Sequence, residues 1–268
     1  MSAAAAGPRK ATIVTGASEG IGAELARIFA AKGHEVVLAA RRRDKLEALA
    51  RDIIAAGAAH KPIVVELDLT EEGAVDRLEQ ALAAAGVTPE ILVNNAGFGL
   101  MGRVADLDAA EQLALVDLNL RALTALTLRF LAPIIASRGA ILNVASIAAF
   151  MPGPGLAIYY ASKAYVRSFS EALGQELKSS GVKVSCLCPG PVATGFQARA
   201  GIDFSGAMAA MKPALLPADE VARQGYAGLM ANKRVVIPGL VNKIMVWSAG
   251  LTPRAVLLPI LAMAQKSR

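Results

Sequence analysis

The sequence predicts an α/β fold with a doubly wound parallel sheet, and three observations carry that prediction. Helical and extended segments alternate along residues 11–187, glycine follows most of the predicted helices, and several predicted strands are short apolar runs. Runs such as Ile63-Val64-Val65 are typical of strands that helices cover on both faces. Alternation of this kind therefore indicates a parallel sheet with helices on both sides.

The predicted strands follow one another with a helix in each connection. Hydrophobic periodicity places strands at 11–14, 35–39, 63–67, 91–93, 140–144 and 183–187, and helices at 21–32, 44–56, 71–85, 109–137 and 156–179. Glycine is favoured just after a helix because it adopts the left-handed conformation without a steric cost. The glycines that end the predicted helices in this way are Gly33, Gly57, Gly86 and Gly181.

Length and composition fit one domain preceded by a short tail. The chain has 268 residues, of which 54% are hydrophobic and 19% charged, and this is enough for one large core. Residues 1–9 are expected to be a flexible tail and 10–268 a single domain. Within it, 195–215 combine aromatic, methionine and small residues, which predicts a lid over an apolar ligand. The last segment, 239–268, is apolar and basic, and its charges argue against a bilayer-spanning helix there.

Cysteine and histidine usage points to a reducing compartment and to no metal. Cys186 and Cys188 are two residues apart in a predicted strand, so both face one side in a geometry poorly suited to a disulfide. They are interpreted as small buried residues, and we predict a cytoplasmic location. His34 and His60 lie in separate turns without further ligands at a suitable spacing, so no metal site is predicted.

A glycine-rich turn between the first strand and the first helix predicts nucleotide binding. Glycine permits a tight turn and a close approach of the backbone, and the helix N-terminus offers free N–H groups and partial positive charge to a pyrophosphate. A dinucleotide is therefore the predicted ligand. The turn has the sequence Thr15-Gly16-Ala17-Ser18-Glu19-Gly20-Ile21-Gly22.

Three arginines follow the second strand and favour NADP over NAD. An acidic residue at this place would bind both ribose hydroxyls of NAD, but Arg41, Arg42 and Arg43 stand there instead. Arginine holds a 2′-phosphate through charge-assisted hydrogen bonds, with Arg41 and Arg42 as the expected contacts. The alternative is that the three arginines form the solvated first turn of a helix, which would leave the cofactor choice open.

Tyr159 and Lys163 form the predicted reactive pair. Four residues apart in a helix, they share one face about 6 Å from each other, so we expect the ammonium to lower the pKa of the phenol. A tyrosine with a lowered pKa can exchange a proton during turnover. Ser146 ends the preceding apolar strand, and Asn119 interrupts an apolar helix. Each also has a purely structural explanation, and Tyr160 is the alternative phenol, but only Tyr159 precedes a lysine by four residues.

Together these motifs resemble the short-chain dehydrogenase/reductase family over residues 11–194. The resemblance rests on the glycine turn, the Asn94-Asn95-Ala96-Gly97 segment, Asn119, Ser146, Tyr159, Lys163 and Pro189-Gly190. It implies a Rossmann fold with about seven strands that binds NAD(P). The cofactor contacts that it implies are Gly16, Ser18, Glu19, Gly20, Ile21, Gly22, Arg41, Arg42, Asp68, Leu69, Asn95, Ala96, Gly97, Tyr159, Lys163, Pro189, Gly190, Val192 and Thr194.

The resemblance also implies hydride transfer between the nicotinamide and a carbonyl carbon, or the reverse oxidation of a secondary alcohol. Tyr159 would donate the proton, Ser146 would polarise the carbonyl, Lys163 would bind the ribose and assist Tyr159, and Asn119 would hold a relay water. The alternative is a regulatory protein that binds NADP without turnover. An apolar substrate is expected, because the residues placed near the site are Phe98, Leu100, Met101, Phe150, Met151, Leu156, Phe196, Met208 and Met211.

Two surfaces are predicted to meet partners. Leucines lie around more than one side of helix 109–137, so we expect a homodimer or homotetramer through helices 109–137 and 156–179, as the resemblance also implies. Residues 1–220 contain 21 basic and all 22 acidic residues, whereas 221–268 contain seven basic residues and no acidic one. Packing of this basic segment over the active site or the dimer is favoured, with weak peripheral membrane contact as the alternative and no nucleic-acid binding expected.

Overall fold

A parallel sheet runs through the centre of the molecule. The computed structural model describes residues 8–192 and 213–265, and in these ranges the sheet has seven strands in the order β3-β2-β1-β4-β5-β6-β7. This confirms the predicted doubly wound α/β fold. The strands are β1 (Arg9–Thr15), β2 (Glu35–Ala40), β3 (Ile63–Glu66), β4 (Val87–Asn94), β5 (Ala140–Val144), β6 (Lys183–Leu187) and β7 (Val235–Val236).

Helices cover the sheet on both faces. The stretch predicted as one helix over 109–137 is an α-helix, a π-helical turn and a second α-helix, and short 3₁₀ turns follow β5 and the long sixth helix. The α-helices are α1 (Gly20–Ala31), α2 (Arg43–Ala55), α3 (Ala74–Ala84), α4 (Ala109–Val116), α5 (Leu123–Ser137), α6 (Ala157–Glu176), α7 (Ala218–Met230), α8 (Leu240–Leu251) and α9 (Arg254–Gln265).

The start of β1 and the length of β4 differ from the predictions for the same reason. Arg9, expected in the tail, is the first residue of β1 and pairs with Val87, so β4 extends four residues before the predicted start at 91. Between Ala11 and Thr12 the register shifts, and Ala11 faces Pro89, which has no N–H to donate to the ladder. Because Pro89 interrupts the apolar run, the sequence pattern does not predict residues 87–90 as part of the strand.

The sheet divides the core into two layers. Side chains alternate along each strand, so Val14 of β1 packs into one layer while its neighbour Ile13 packs into the other. Helices α1, α2 and α7 close the first layer, where Phe29 of α1 meets Tyr226 of α7 edge to face at a ring distance of 5.0 Å. Helices α3, α5 and α6 close the second, where Phe130 of α5 is fully buried. The apolar strand runs are therefore continuous because both faces are covered.

The helical stretch Ala109–Ser137 is long and apolar enough to cross a membrane by length and composition. The same properties belong to the core helix of a water-soluble domain, and this stretch packs on the sheet. Leu126 and Ile134 are buried in the second core layer, and Asp117–Ala122 forms the π-helical turn in its middle. The stretch is therefore accounted for as part of the α/β core.

Three helices and one strand follow residue 217, beyond the last strand that hydrophobic periodicity located. Helix α7 packs against α1, and β7 adds to the sheet edge beside β6. Helix α3 begins at Ala74 rather than at 71, because Gly73 with a φ of 70° precedes it in a turn. The remaining predicted strand and helix boundaries agree with the structure to within two residues, apart from β4 and the end of α6.

A single methyl group at Gly139 is expected to destabilise the sheet. A side-chain carbon there would overlap the carbonyl oxygen of Glu90 in the neighbouring strand, so β4 and β5 would have to move apart. We expect Gly139→Ala to lower the free energy of unfolding by about 2 kcal/mol or more, measured by urea denaturation. Gly250→Ala is the matched control, because Gly250 lies within α8 and nothing surrounds its Cβ position. Equal stability of the two variants would contradict the proposed overlap.

Candidate active site

The glycine turn and the start of α1 form a cradle that only small residues permit. Gly16 has a φ of 64°, in the left-handed region that glycine favours. A side chain on Gly22 would overlap both Asn95 Nδ2 and the carbonyl oxygen of Gly16. Helix α1 begins at Gly20, so the N–H groups of its first turn, next to the glycines, have no partners within the helix. The chain therefore has the geometry that a dinucleotide pyrophosphate requires.

Asn95 and Thr15 fasten this turn to the central strand. The Asn95 side chain donates to the carbonyl oxygens of Thr15 at 2.9 Å and Gly16 at 3.2 Å. Thr15 Oγ1 accepts from the N–H groups of Asn95 and Ala96 and donates to the carbonyl oxygen of Val93. The sequence analysis gave Thr15 no role, although its position directly before Gly16 was a usable signal. Asn95, an expected cofactor contact, thus braces the end of β1 at the glycine turn.

The arginines after β2 form ion pairs around the predicted nucleotide site. Arg42 contacts Glu19 at 2.8 Å and donates to Ser18 Oγ, while Arg41 lies 3.6 Å from Asp68. The hydrogen bond from Arg42 holds the pKa of Glu19 below its ordinary value. Burial raises the pKa of Asp68, but hydrogen bonds within its own turn and the charge of Arg41 outweigh burial and lower it. Residues from the turns after β1, β2 and β3 thus meet at one edge of the sheet.

Ser146 stands between a short turn and the loop after β6. Its Oγ accepts from the N–H of Ala148, which caps the 3₁₀ turn Ile147–Phe150, and lies 3.4 Å from the carbonyl oxygen of Pro189. The same hydroxyl hydrogen-bonds the phenol of Tyr159. The structure therefore brings Ser146 and Tyr159, thirteen residues apart, into direct contact.

Tyr159 and Lys163 share one face of α6, as predicted, but their charge states differ from the expectation. Lys163 Nζ lies 5.8 Å from the centre of the Tyr159 ring and donates to the carbonyl oxygen of Val144 at 3.0 Å. Burial raises the pKa of Tyr159 well above 10, although the hydrogen bond from Ser146 acts in the opposite direction. Burial also lowers the pKa of Lys163 to about 8. In this chain desolvation therefore dominates, and the expected lowering of the phenol pKa is absent.

Asn119 is held at the π-helical turn by hydrogen bonds at both ends of its amide. Its Oδ1 accepts from the N–H of Phe98 at 3.1 Å, and its Nδ2 donates to the Phe98 carbonyl oxygen and to Ser162 Oγ. Ser162, which the sequence analysis did not assign, donates in turn to the carbonyl oxygen of Tyr159 at 2.7 Å. A side chain at Gly97 would begin 2.9 Å from Asn119 Oδ1 and 3.4 Å from Lys163 Nζ. A side chain at this position would crowd the amide, so glycine allows Asn119 and Lys163 to approach the backbone of this segment.

A third polar residue that the sequence analysis missed, after Thr15 and Ser162, lies behind the loop after β6. Asn242 of α8 is buried against Gly190, whose Cβ would overlap the Asn242 amide. Its Nδ2 donates to the carbonyl oxygens of Ala214 and Pro238. No local motif marks this asparagine, because its contacts with Ala214 and Gly190 are formed by the fold. The carbonyl oxygen of Pro189 lies beside Ser146, and Val192 forms a bridge with Leu216; both residues are expected cofactor contacts.

The residues predicted to contact substrate fall into three groups. Phe98 and Leu156 are buried, and Met101 and Met151 are half-buried in loops that a hydrogen bond from Gly102 to Gly155 joins. Phe150 packs against the cluster that contains the cysteines, and Arg167 lies 4.1 Å above its ring. The expected lid at 195–215, with Phe196, Met208 and Met211, lies outside the described residues apart from 213–215. Thr194, an expected cofactor contact, lies outside them as well.

The two cysteines lie directly beneath this site. Both are fully buried and carry free thiols, with the sulfur atoms 3.6 Å apart. Leu123 and Val166 pack around them, so the apolar surroundings agree with the prediction of small buried residues.

Comparison with known proteins places this arrangement in a family. The sequence profile described as short chain dehydrogenase matches residues 10–203, which is most of the chain. The chain belongs to the short-chain dehydrogenase family. The resemblance seen in the motifs, the Rossmann-type fold and the enzyme class are thereby confirmed.

Individual relatives of this short-chain dehydrogenase are similar along much of the chain. Sulfoacetaldehyde reductase of Chromohalobacter salexigens is 35% identical over 80% of this chain and 85% of its own length. The probable oxidoreductase EphD of Mycobacterium tuberculosis is 34% identical over 72% of this chain, which spans only 33% of EphD. A short-chain dehydrogenase from Sphingobium yanoikuyae, solved with NADPH, is 32% identical with a TM-score of 0.77, covering 97% of this chain and 96% of that one.

The buried ammonium of Lys163 makes stability depend on pH in a defined direction. The folded protein holds the pKa of Lys163 at about 8, against 10.5 for the ordinary side chain, so between these values the unfolded state binds more protons. The contribution of Lys163 to the free energy of unfolding is therefore lowest below pH 8 and rises as the pH increases towards 10.5. We expect Lys163→Met to exceed the parent in thermal stability most at pH 7, with the difference shrinking by about pH 10, in melts followed by circular dichroism. A difference that stays constant over this range would contradict burial of a charged lysine.

Proposed function

We propose that this short-chain dehydrogenase is an NADP(H)-dependent oxidoreductase that interconverts a carbonyl and a secondary alcohol on a mainly apolar substrate. The observation that carries the proposal is the contact of Ser146 with Tyr159, on the same helix face as Lys163 and beside the loop after β6. A hydroxyl pair and a buried ammonium at one edge of a nucleotide-binding sheet suit proton transfer during hydride transfer.

The proton steps follow from the positions of the two hydroxyls. When bound, the reduced nicotinamide supplies the hydride to the carbonyl carbon. Ser146 donates a hydrogen bond to the carbonyl oxygen and stabilises the negative charge that develops there. Tyr159 then gives its proton to that oxygen to form the alcohol. A pKa of Tyr159 above its ordinary value keeps the phenol protonated at neutral pH, which is the form that reduction needs.

Lys163 and Asn119 are proposed to replace the proton on Tyr159. The Lys163 ammonium binds the ribose hydroxyls beside the phenol and, with a pKa of about 8, can release and regain a proton near neutral pH. Both side-chain N–H groups of Asn119 are already donated, so a relay water at this residue would have to donate to one of its oxygen atoms. Asn119 Oδ1 and Lys163 Nζ both lie close to Gly97, and this proximity supports a water shared by the two residues.

A regulatory protein without turnover has less support. A binding protein needs the glycine turn and the arginines but not a serine in contact with the phenol, and the relatives compared above are named as reductases or oxidoreductases. The preference for NADP is proposed from Arg41 and Arg42, which line the site with exposed guanidinium groups. The similar Sphingobium yanoikuyae enzyme, which binds NADPH, supports this choice.

The apolar substrate is proposed from the side chains around the loops that meet at Gly102 and Gly155. A homodimer or homotetramer is proposed through helices 109–137 and 156–179, because Leu113, Leu128 and Tyr165 leave apolar surface exposed on these helices. A cytoplasmic location is proposed from the free, buried thiols of both cysteines.

Removing the Tyr159 hydroxyl is expected to stop turnover and to leave cofactor binding nearly unchanged. Tyr159→Phe keeps the ring but has no proton to donate, so we expect kcat for ketone reduction to fall by about a hundredfold or more, followed at the nicotinamide absorbance. Tyr160→Phe is the matched control, because the neighbouring phenol lies on α6 but lacks the lysine four residues later. Turnover of Tyr159→Phe at the parent rate would overturn the proposed mechanism.

Loss of either proposed phosphate contact is expected to weaken NADPH selectively. Arg41→Ala and Arg42→Ala should each raise the Kd for NADPH by about tenfold or more, with a much smaller effect on NADH, in fluorescence titrations. Arg43→Ala is the control from the same run, because Arg43 pairs with Glu47 along α2. Equal affinity of the parent for NADPH and NADH would refute the proposed cofactor preference.

A further inference from the structure

The last two helices carry a stripe of exposed apolar side chains. Leu240, Ile244, Trp247 and Leu251 are spaced four, three and four residues apart along α8, so they share one face of the helix. Their exposed fractions are 72%, 56%, 69% and 66%. The chain contains no other tryptophan. A continuous apolar stripe of this kind marks a surface that meets an apolar partner.

The stripe is held in a fixed direction by the opposite face of α8. Asn242 and Ala249 lie on that opposite face and are buried. Asn242 donates to the carbonyl oxygens of Ala214 and Pro238 and packs against Gly190. Helix α8 is therefore anchored to the enzyme body, and the stripe points away from it.

Helix α9 extends the apolar surface. Val256, Ile260 and Met263 are spaced four and three residues apart and are exposed, as is Leu258. Each of the two helices has 12 residues, and a membrane-spanning helix needs about 20. The pair is therefore suited to lying along an apolar boundary and not to crossing it.

Charge decides between the possible occupants of this surface. Exposed Lys243 stands beside the α8 stripe, Arg254 begins α9, and no acidic residue occurs in 221–268. A two-fold contact between copies would place this basic patch against itself, which is unfavourable. An anionic lipid surface offers both the opposite charge and an apolar layer, and a tryptophan ring is favoured at that boundary.

We propose that α8 and α9 bind the surface of an anionic lipid bilayer, with the stripe Leu240, Ile244, Trp247 and Leu251 inserted among the lipid headgroups and upper acyl chains. The proposal rests on the surface alone and is independent of the reaction that the enzyme catalyses. Docking through α8 would place the membrane behind the Pro189-Gly190 loop, because Asn242 joins the two.

The experiment uses the complete chain and the fluorescence of Trp247. Vesicles of phosphatidylcholine with about one third phosphatidylserine are expected to shift its emission to shorter wavelength and to sediment the protein at about 0.1 M salt. Vesicles of phosphatidylcholine alone, or about 1 M salt, should weaken binding several-fold. Leu240→Ser with Leu251→Ser should lower partitioning by about tenfold or more. Both side chains are exposed, so this double variant should fold as the parent does.

Ile54→Ser is the control, since Ile54 is an exposed apolar residue of α2 outside the stripe, and its variant should bind vesicles like the parent. Three outcomes would overturn the proposal. The first is a parent protein that stays in the supernatant with anionic vesicles at low salt. The second is equal binding to neutral and anionic vesicles. The third is a double variant with unchanged vesicle binding, or one whose only change is a smaller assembly in sedimentation velocity, which would make the stripe a contact between copies.

Discussion

The hydrogen bonds that join the carboxyl ends of β1 and β4 are the interaction on which the rest of the molecule depends. Thr15 and Asn95 exchange bonds across these two central strands, at the place where the strand order reverses direction. The glycine turn follows β1, and the helix that carries Tyr159 and Lys163 follows β5, which lies beside β4. The same hydrogen bonds therefore position both the glycine turn and the helix that carries Tyr159. A change in the contacts of Thr15 and Asn95 would alter the distance between Gly16 and Lys163.

Hydrogen bonds between buried polar groups connect these central strands to the helix that carries the reactive side chains. Asn94 donates to Asn143, and Asn143 donates to Ser170 of α6, so amide contacts tie β4 to β5 and then to the helix that carries Tyr159. Asn119 and Ser162 form a parallel route from the π-helical turn to the same helix. An unsatisfied polar group in a core destabilises it, so these bonds define one arrangement more sharply than apolar packing would.

The sequence predicted the elements that short sequence patterns define. It did not predict the features that depend on contacts between distant parts of the chain. Strand runs, glycine stops and the Tyr159-Lys163 spacing are visible in short windows, and all three agree with the structure. The extension of β4 past Pro89 depends on its partner β1, and the role of Asn242 depends on a contact with Gly190 fifty-two residues earlier. The π-helical turn at Asn119 likewise has no periodicity of its own in the sequence. Such features arise from tertiary packing, which overrides local preference.

The charge states of the reactive pair show why spacing alone misjudged the phenol. A unit charge about 6 Å away contributes about 3 kcal/mol at an effective dielectric constant of about 20, which would lower a phenol pKa by about two units. Full burial shifts a pKa by about three to five units in the opposite direction. Desolvation is the largest influence on the pKa of Tyr159, and burial also lowers the pKa of Lys163, so the neighbouring ammonium does not bring the phenol pKa below its ordinary value. A raised pKa keeps the Tyr159 phenol protonated at neutral pH, which is the state that the proposed reduction needs, whereas the reverse oxidation would require the proton to be removed.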